Sequence, residues 1–389
     1  MTAEKMTHYR GLTWDHPRGT AALRRAAARF SAEPHDSTLG WDSQSLEGFE
    51  SHPIAELCER YQLVVLDHPH LGDALAAGAL QPLDALFPPE LLAEWRAATV
   101  GNSAASYTNG GRLWAAPLDV ATQVAAAHRA RVPDLPRTWD EVTALAAGLP
   151  VALSLAGPHA LLTFLSLCVG LGETPYPAPG AALVSREVGR TALELMRDLA
   201  ARADPETHDL NPIALLERVA AGDRLAYCPF VYGYAGYAAR DWGAPVRFGD
   251  VPRLVEGGPL GSTLGGTGLA VTRGTRVTAE LTRHLRWLMS ADAQRGFLPR
   301  HAGQPSRREA WTDPDVNAAY GGFYADTLAS TEDAWVRPRH PGYPAFQTAA
   351  SAVLRDAVTG RRPVGESLDE ALRLHRAAAP PAPTPRPTR

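Results

Sequence analysis

Two short stretches carry the same tripeptide in the same setting. Asp15-His16-Pro17 in "LTWDHPRG" and Asp67-His68-Pro69 in "VVLDHPHLG" each follow an apolar run and precede a helix-like stretch. Imidazole titrates near neutral pH and a neighbouring carboxylate tunes it, so Asp15, His16, Asp67 and His68 are candidate acid–base groups. The same side chains match the hydroxyls of a polar ligand by donating and accepting hydrogen bonds. A metal centre drawn from His16, His68, His70 and an aspartate is a further reading, but no HxxxH or HExxH spacing supports it, and no metal or cofactor is expected. The plain alternative is that Asp15 and Asp67 cap helices while the histidines satisfy backbone carbonyls.

For the two stretches to act together, the fold must bring them to one place. Strand-like runs over 9–14 and 63–66 alternate with helix-like runs over 20–30 and 71–80, the pattern of a parallel sheet with crossover helices. In such sheets ligands bind beyond the carboxyl ends of the strands, so both tripeptides are expected at one sheet edge. Proline after histidine should keep His16 and His68 extended and start the next helix without wasting a backbone donor.

Further along, residues 114–124 read as extended, with Pro117 marking a kink or crossing. "TWDEVTALA" opens a helix with Thr138 as cap and Glu141 at capping-box spacing. A second α/β region follows, with an apolar segment over 160–171 and a helix over 186–203. The glycine-rich "GSTLGGTGLAVT" lacks GxGxxG spacing and runs into a strand-like stretch over 269–272, so a dinucleotide site is not expected. It reads instead as a backbone crossing between lobes, with Gly265, Gly266 and Gly268 free to adopt unusual φ. Helices are expected over 279–290, 315–329 and 346–359.

Composition bounds the rest. A chain of 389 residues is too long for one small core and points to two lobes. Hydrophobic residues at 45% and charged residues at 21% are those of a globular protein rather than a disordered one. A net charge of −4 with no long basic run argues against nucleic-acid and anionic-membrane partners. Cys58, Cys168 and Cys228 are far apart and form no CxxC, so neither a disulfide framework nor a zinc cluster is suggested and buried thiols are expected. Lys5 is the only lysine, which removes Schiff-base and P-loop chemistry. The start of the sequence has no apolar signal region and no run is long enough to span a bilayer, so a cytoplasmic location is expected as the sequence stands, or an exported one if the start is truncated. The Pro-rich tail over 380–389 should be disordered.

Seven stretches in order, "LTWDHPRG", "YQLVVLDHPHLG", "LWAAPLDVATQV", "TWDEVTALA", "LAYCPFVYGYAGYA", "LGGTGLAV" and "GQPSRREAW", resemble a subgroup of the family 1 extracellular solute-binding proteins of carbohydrate-type ABC transporters, up to about Ala379. The resemblance implies an α/β, type II periplasmic-binding-protein fold: two α/β lobes joined by crossing hinge strands, with a central ligand cleft. The lobes are expected as 1–117 with 267–312, and 118–266 with 313–379. Also implied is a monomer that captures a small polar ligand, sugar-like or sugar-acid-like, for a transporter permease. That family is normally exported, which leaves a cytoplasmic ligand sensor, or an enzyme using Asp15, His16, Asp67 and His68, as alternatives.

Sugar-like ligands are held by aromatic faces and by polar groups that match hydroxyls. On the first junction the candidates are Trp14, Asp15, His16 and Arg18, and on the second Asp67, His68 and His70. Arg18, beside a helix start, could instead grip a carboxylate or phosphate by its charge and the helix dipole. Tyr107 is a loop aromatic or a turn residue covering the core, and Asp119 a ligand acceptor or a capped turn. Tyr232, Tyr234 and Tyr237 in "VYGYAGY" are stacking candidates, of which about one should touch ligand. His159 starts a helix and faces either ligand or core. Gly266 and Thr267 could present backbone amides, Gln304 is a weaker choice, and Arg337 and Arg339 form a solvated face or a second anion contact.

Overall fold

The computed structural model describes residues 6–380, so Lys5 and all of the Pro-rich tail beyond Pro380 lie outside the described residues. The strands that organise the chain are β1 (Thr7–Trp14), β2 (Ser37–Gln44), β3 (Leu63–Leu66), β4 (Leu80–Gln81), β5 (Ala116–Asp119), β6 (Gln123–His128), β7 (Tyr227–Tyr232), β8 (Val246–Gly249) and β9 (Thr267–Thr272). The main helices are α1 (Pro17–Ala32), α2 (Trp139–Leu145), α3 (His159–Gly170), α4 (Arg186–Ala200), α5 (Ala279–Leu288), α6 (Tyr343–Val358) and α7 (Val364–Ala378).

The chain divides into two compact units. The first runs to Thr122 and resumes over Tyr234–Ala244 and Leu264–Glu332; the second holds Gln123–Gly233, Pro245–Thr263 and the chain from Asp333 on. Residues 118–122, 234–244, 264–266 and 313–332 therefore belong with the first unit, where the sequence reading put them in the second lobe. Buried amides explain part of this. Gln294 donates to the Leu118 carbonyl at 3.2 Å, and Gln304 donates to the Val120 carbonyl at 2.7 Å while accepting from the Ala235 N–H at 3.2 Å. Rings anchor 313–332, since Trp311 packs edge-on to Tyr324 at 5.2 Å.

In the first unit β2, β1, β3, β9 and β4 form one sheet in that order, with β5 also paired to β9. β1 runs parallel to β2 and β3, as the alternation of strand and helix in the sequence requires; β9 returns antiparallel to β3, β4 and β5. α1 covers this sheet with Leu23, Ala26, Ala27 and Phe30, an i, i+3, i+4, i+7 stripe that packs into the core.

The second unit has an antiparallel sheet of order β8-β6-β7. Its core includes α3, which is buried on nearly every side and so reads as a continuous apolar run rather than an amphipathic one. α2 begins with the expected capping box between Thr138 and Glu141. At the start of β6 the buried Gln123 amide accepts from Ser166 at 2.5 Å and donates to Thr163 at 3.1 Å, so its polar ends are satisfied inside the core.

The single helix expected over 315–329 is three short ones, Pro314–Ala319, Phe323–Asp326 and Leu328–Glu332. Gly321 and Gly322 break it with φ of 59° and 88°, a left-handed pair that no helix accommodates. All three cysteines are free thiols; Cys168 and Cys228 are buried and Cys58 half-buried, and burial pushes Cys58 and Cys228 up to about 12. Among the described residues no helix is long and apolar enough to cross a membrane.

Candidate functional site

The two Asp-His-Pro stretches do reach the same sheet edge. Gly11 pairs with Leu63 and Leu12 with Val64, so Asp15 and Asp67 each follow four residues later on adjacent parallel strands. Their helix starts nevertheless differ by one residue. At the first junction His16 is extended (φ −153°, ψ 148°) and is itself the cap, its Nδ1 accepting the Arg18 N–H at 3.1 Å, with Pro17 opening α1. At the second, Asp67 is the cap, accepting the His68 N–H at 2.8 Å, and His68 already lies in a 3-10 turn, His68–His70.

That shift separates their roles. His68 is 0% exposed and His70 is buried, with the His68 ring edge-on to Tyr107 at 6.2 Å, so both imidazoles of the second junction are sealed into the first unit's interior while Asp67 stays half-buried. Asp15 is exposed, where it accepts a bond from Ser43 at 3.3 Å. Of the four residues considered as acid–base groups, only His16 lines the recess described below. Among the described residues no three His, Cys, Asp or Glu side chains gather where they could hold a metal ion.

The first junction opens on a recess of about 170 Å³ in the first unit, lined by His16, Pro17, Arg18, Tyr234, Tyr237, Asp241, Arg300, Gln304 and Tyr320 among others. Its organising feature is an ion pair. Arg18 reaches Asp119 through Nε–Oδ2 at 2.8 Å and Nη2–Oδ1, a two-point fork with side chains 7% and 5% exposed. Burial works against the charge on Arg18, yet Asp119's charge and hydrogen bonds outweigh it and hold the guanidinium above its ordinary value. Burial pulls the Asp119 carboxyl up while Arg18 pulls it down.

Aromatic rings fix Arg18 from the other side. Its guanidinium lies over the Tyr234 ring at 4.8 Å and over Trp14 at 5.9 Å, and the His16 ring meets Tyr234 edge-on at 4.8 Å. Burial pushes the Tyr234 phenol up to about 12, so it stays protonated. Burial also pushes His16 down to about 4, with Arg18 adding to the effect and Asp15 opposing it. A neutral imidazole whose Nδ1 accepts a backbone N–H carries its proton on Nε2, which makes His16 a donor at the recess wall.

Several candidates lie behind this wall, or line it with their polar groups already spent. Tyr107 is buried, its hydroxyl donating to the Leu66 carbonyl at 3.2 Å and the Gly266 carbonyl at 3.3 Å. Gly266 has φ of 93°, and a Cβ there would stand 2.5 Å from the Asp119 carbonyl, so glycine is what lets the chain pass so close to Asp119. Gln304 lines the recess while both ends of its amide are spent on backbone. Trp14 and Thr267 are buried in a smaller space that Arg18 and Asp119 also line.

His159 and Tyr232 belong to the second unit, where their rings lie edge-on at 5.7 Å. Arg337 there is buried and donates to Gln347 at 3.1 Å, so it is no part of a solvated face; Arg339 is half-buried, and burial lowers its pKa. Asp241 and Arg300 were not legible as site residues because they sit outside any periodic segment, and Tyr320 because it falls in a stretch read as one continuous helix; only the chain's return to the first unit brings the three to the recess.

No family model matches the chain. Among solved structures, it is similar to an ABC transporter solute-binding protein of Agrobacterium radiobacter K84 in complex with ribitol, at 19% identity, with 96% of this chain and 100% of that one covered and a TM-score of 0.80. It is also similar to the maltose-bound MalE3 of T. maritima, at 17% identity over 94% and 98% of the two chains with a TM-score of 0.79. A third is an Agrobacterium vitis S4 solute-binding protein with bound D-mannitol, at 15% identity over 95% and 98% with a TM-score of 0.74. At these identities the likeness is one of fold: the chain has the mixed α/β fold of the ABC transporter solute-binding proteins.

Proposed function

We propose that the protein is the solute-binding component of an ABC transporter and that the first-unit recess captures a small, neutral, hydroxyl-rich solute, a polyol or a simple sugar. The charge count at the recess carries this reading. Arg18 is spent on Asp119, and the remaining charged side chains, Asp241 and Arg300, are opposite in sign, so an anion finds no surplus cation to bind. What remains suits hydroxyls: a His16 Nε2–H donor, the Asp241 carboxylate as acceptor, and the Tyr234 and Tyr237 rings as apolar faces. The ligands of the structural neighbours, ribitol, D-mannitol and maltose, are neutral polyols and sugars and support the same choice. A recess of about 170 Å³ lies below the roughly 300 Å³ at which drug-sized sites begin, which favours a small solute.

Titration calorimetry with ribitol, D-mannitol, D-tagatose and maltose, set against D-gluconate, tests the proposal. Saturable binding of at least one neutral compound, recovered unaltered after long incubation, is the expected result. Tighter binding of gluconate, binding of none, or conversion of the bound compound overturns it. Cell fractionation then separates an exported receptor from a cytoplasmic sensor of the same solute.

A further inference from the structure

Arg18 and Gln304 also line a second, smaller space in the first unit, of about 20 Å³, together with Trp14, Asp119, Thr267 and Gly303. Thr267 lies opposite Asp119 in the β5/β9 pairing, so its hydroxyl starts from the same stretch of the sheet as the carboxylate. Thr267 is 3% exposed and Trp14 is 4% exposed, and among the described residues neither Thr267 Oγ1 nor Trp14 Nε1 has a hydrogen-bond partner. Buried hydroxyl and indole N–H groups are rarely left unpaired, because water satisfied both in the unfolded chain. Each Asp119 oxygen accepts one bond from Arg18 and keeps a further lone pair. A space needs about 10–15 Å³ to hold one water, so this one has room for one oxygen and little more.

We propose that this space is a single-oxygen subsite: it holds one uncharged oxygen that accepts from Trp14 Nε1–H, bonds to Thr267 Oγ1 and donates to Asp119. The oxygen is uncharged because an anion would meet the Asp119 carboxylate and a cation the Arg18 guanidinium at the same wall. Two sources share this chemistry, an internal water and a terminal hydroxyl of the captured solute. The second source rests on the reading of the adjoining recess as a neutral-solute site; the first does not.

Thr267→Val, which keeps the side-chain shape and removes the hydroxyl, is compared with Thr267→Ser, which keeps the hydroxyl. If an internal water is held, Thr267→Val lowers the melting temperature of the solute-free protein by about 2–4 °C and Thr267→Ser recovers most of that loss. If the solute supplies the oxygen, Thr267→Val leaves the solute-free melting temperature unchanged or raised and weakens ribitol or D-mannitol binding about tenfold, with Thr267→Ser again close to the parent. A Thr267→Val protein that melts no lower and binds those polyols no more weakly overturns the subsite, including when no polyol binds the parent. Because the melting arm needs no solute, a failure of the polyol reading and a failure of the subsite give different results.

Discussion

The ion pair of Arg18 and Asp119 shows why a buried pair is a better determinant of specificity than of stability. Taking two charges out of water costs several kcal/mol, and only the two-point geometry and the Tyr234 face repay it. Removing one partner should therefore hurt far more than removing both. Asp119→Ala strands Arg18 and is expected to destabilise the first unit by about 3–5 kcal/mol in urea unfolding. The double variant Arg18→Met with Asp119→Leu should recover most of that loss yet bind neutral polyols more weakly, because the guanidinium that holds the Tyr234 ring at the recess is gone. A double variant as unstable as the single one would mean that packing of these two side chains, and not their charge, matters.

At the scale of elements, the segment Tyr234–Ala244 depends on a side chain far away in sequence. Gln304 bonds the Ala235 N–H and the Val120 carbonyl at once, both inside the first unit. Gln304→Leu leaves two buried backbone groups unpaired, at about 1–3 kcal/mol each, and is expected to raise amide hydrogen exchange selectively over 234–244. Unchanged exchange there would show that the rings alone hold the segment. This clamp also illustrates what sequence reading reaches. The α1 stripe, the Thr138 capping box and the strands that carry both Asp-His-Pro stretches to one edge are legible because their signals lie within a few residues of each other. The identical tripeptides, in contrast, gave no hint that Asp67 would start its helix one residue earlier than His16 does, which is what seals His68 away. Arg18 and Asp119 are 101 residues apart, so their spacing carries no signal, and with no partner assigned to Arg18 a carboxylate or phosphate stays open as an alternative to a neutral sugar.

Across the whole molecule, three histidines should make stability depend on pH in one direction. Burial is the main cause that pushes His16, His284 and His375 down to about 4; Arg18 adds to it for His16, Arg29 and His35 for His284, and His340 and Arg376 for His375. Their ordinary value is 6.5, so between about pH 6.5 and 4 the unfolded chain binds protons that the folded chain does not. Stability is then unaffected by these groups above pH 6.5, falls as pH drops through that window, and levels off below it. Each fully buried histidine contributes a slope of up to about 1.4 kcal/mol per pH unit, less for His16, which is only partly buried. The lowered carboxyls of Asp42, Asp209, Glu280 and Glu370 act from their ordinary values of 3.8 and 4.5 downward, His208 and His301 are lowered in the same direction as the three histidines, and the Asp119 carboxyl, raised by burial against the pull of Arg18, opposes them. Unfolding free energies from urea titrations between pH 7.5 and 4.5 should decline through this range, and His284→Asn or His375→Asn should each flatten the decline by one proton's share. His284 lies in the first unit and His375 in the second, so if the units unfold separately, each substitution flattens only its own transition. A stability that stays level from pH 7 to 5, or that rises toward acid, would mean these imidazoles are solvated and titrate as they do in the unfolded chain.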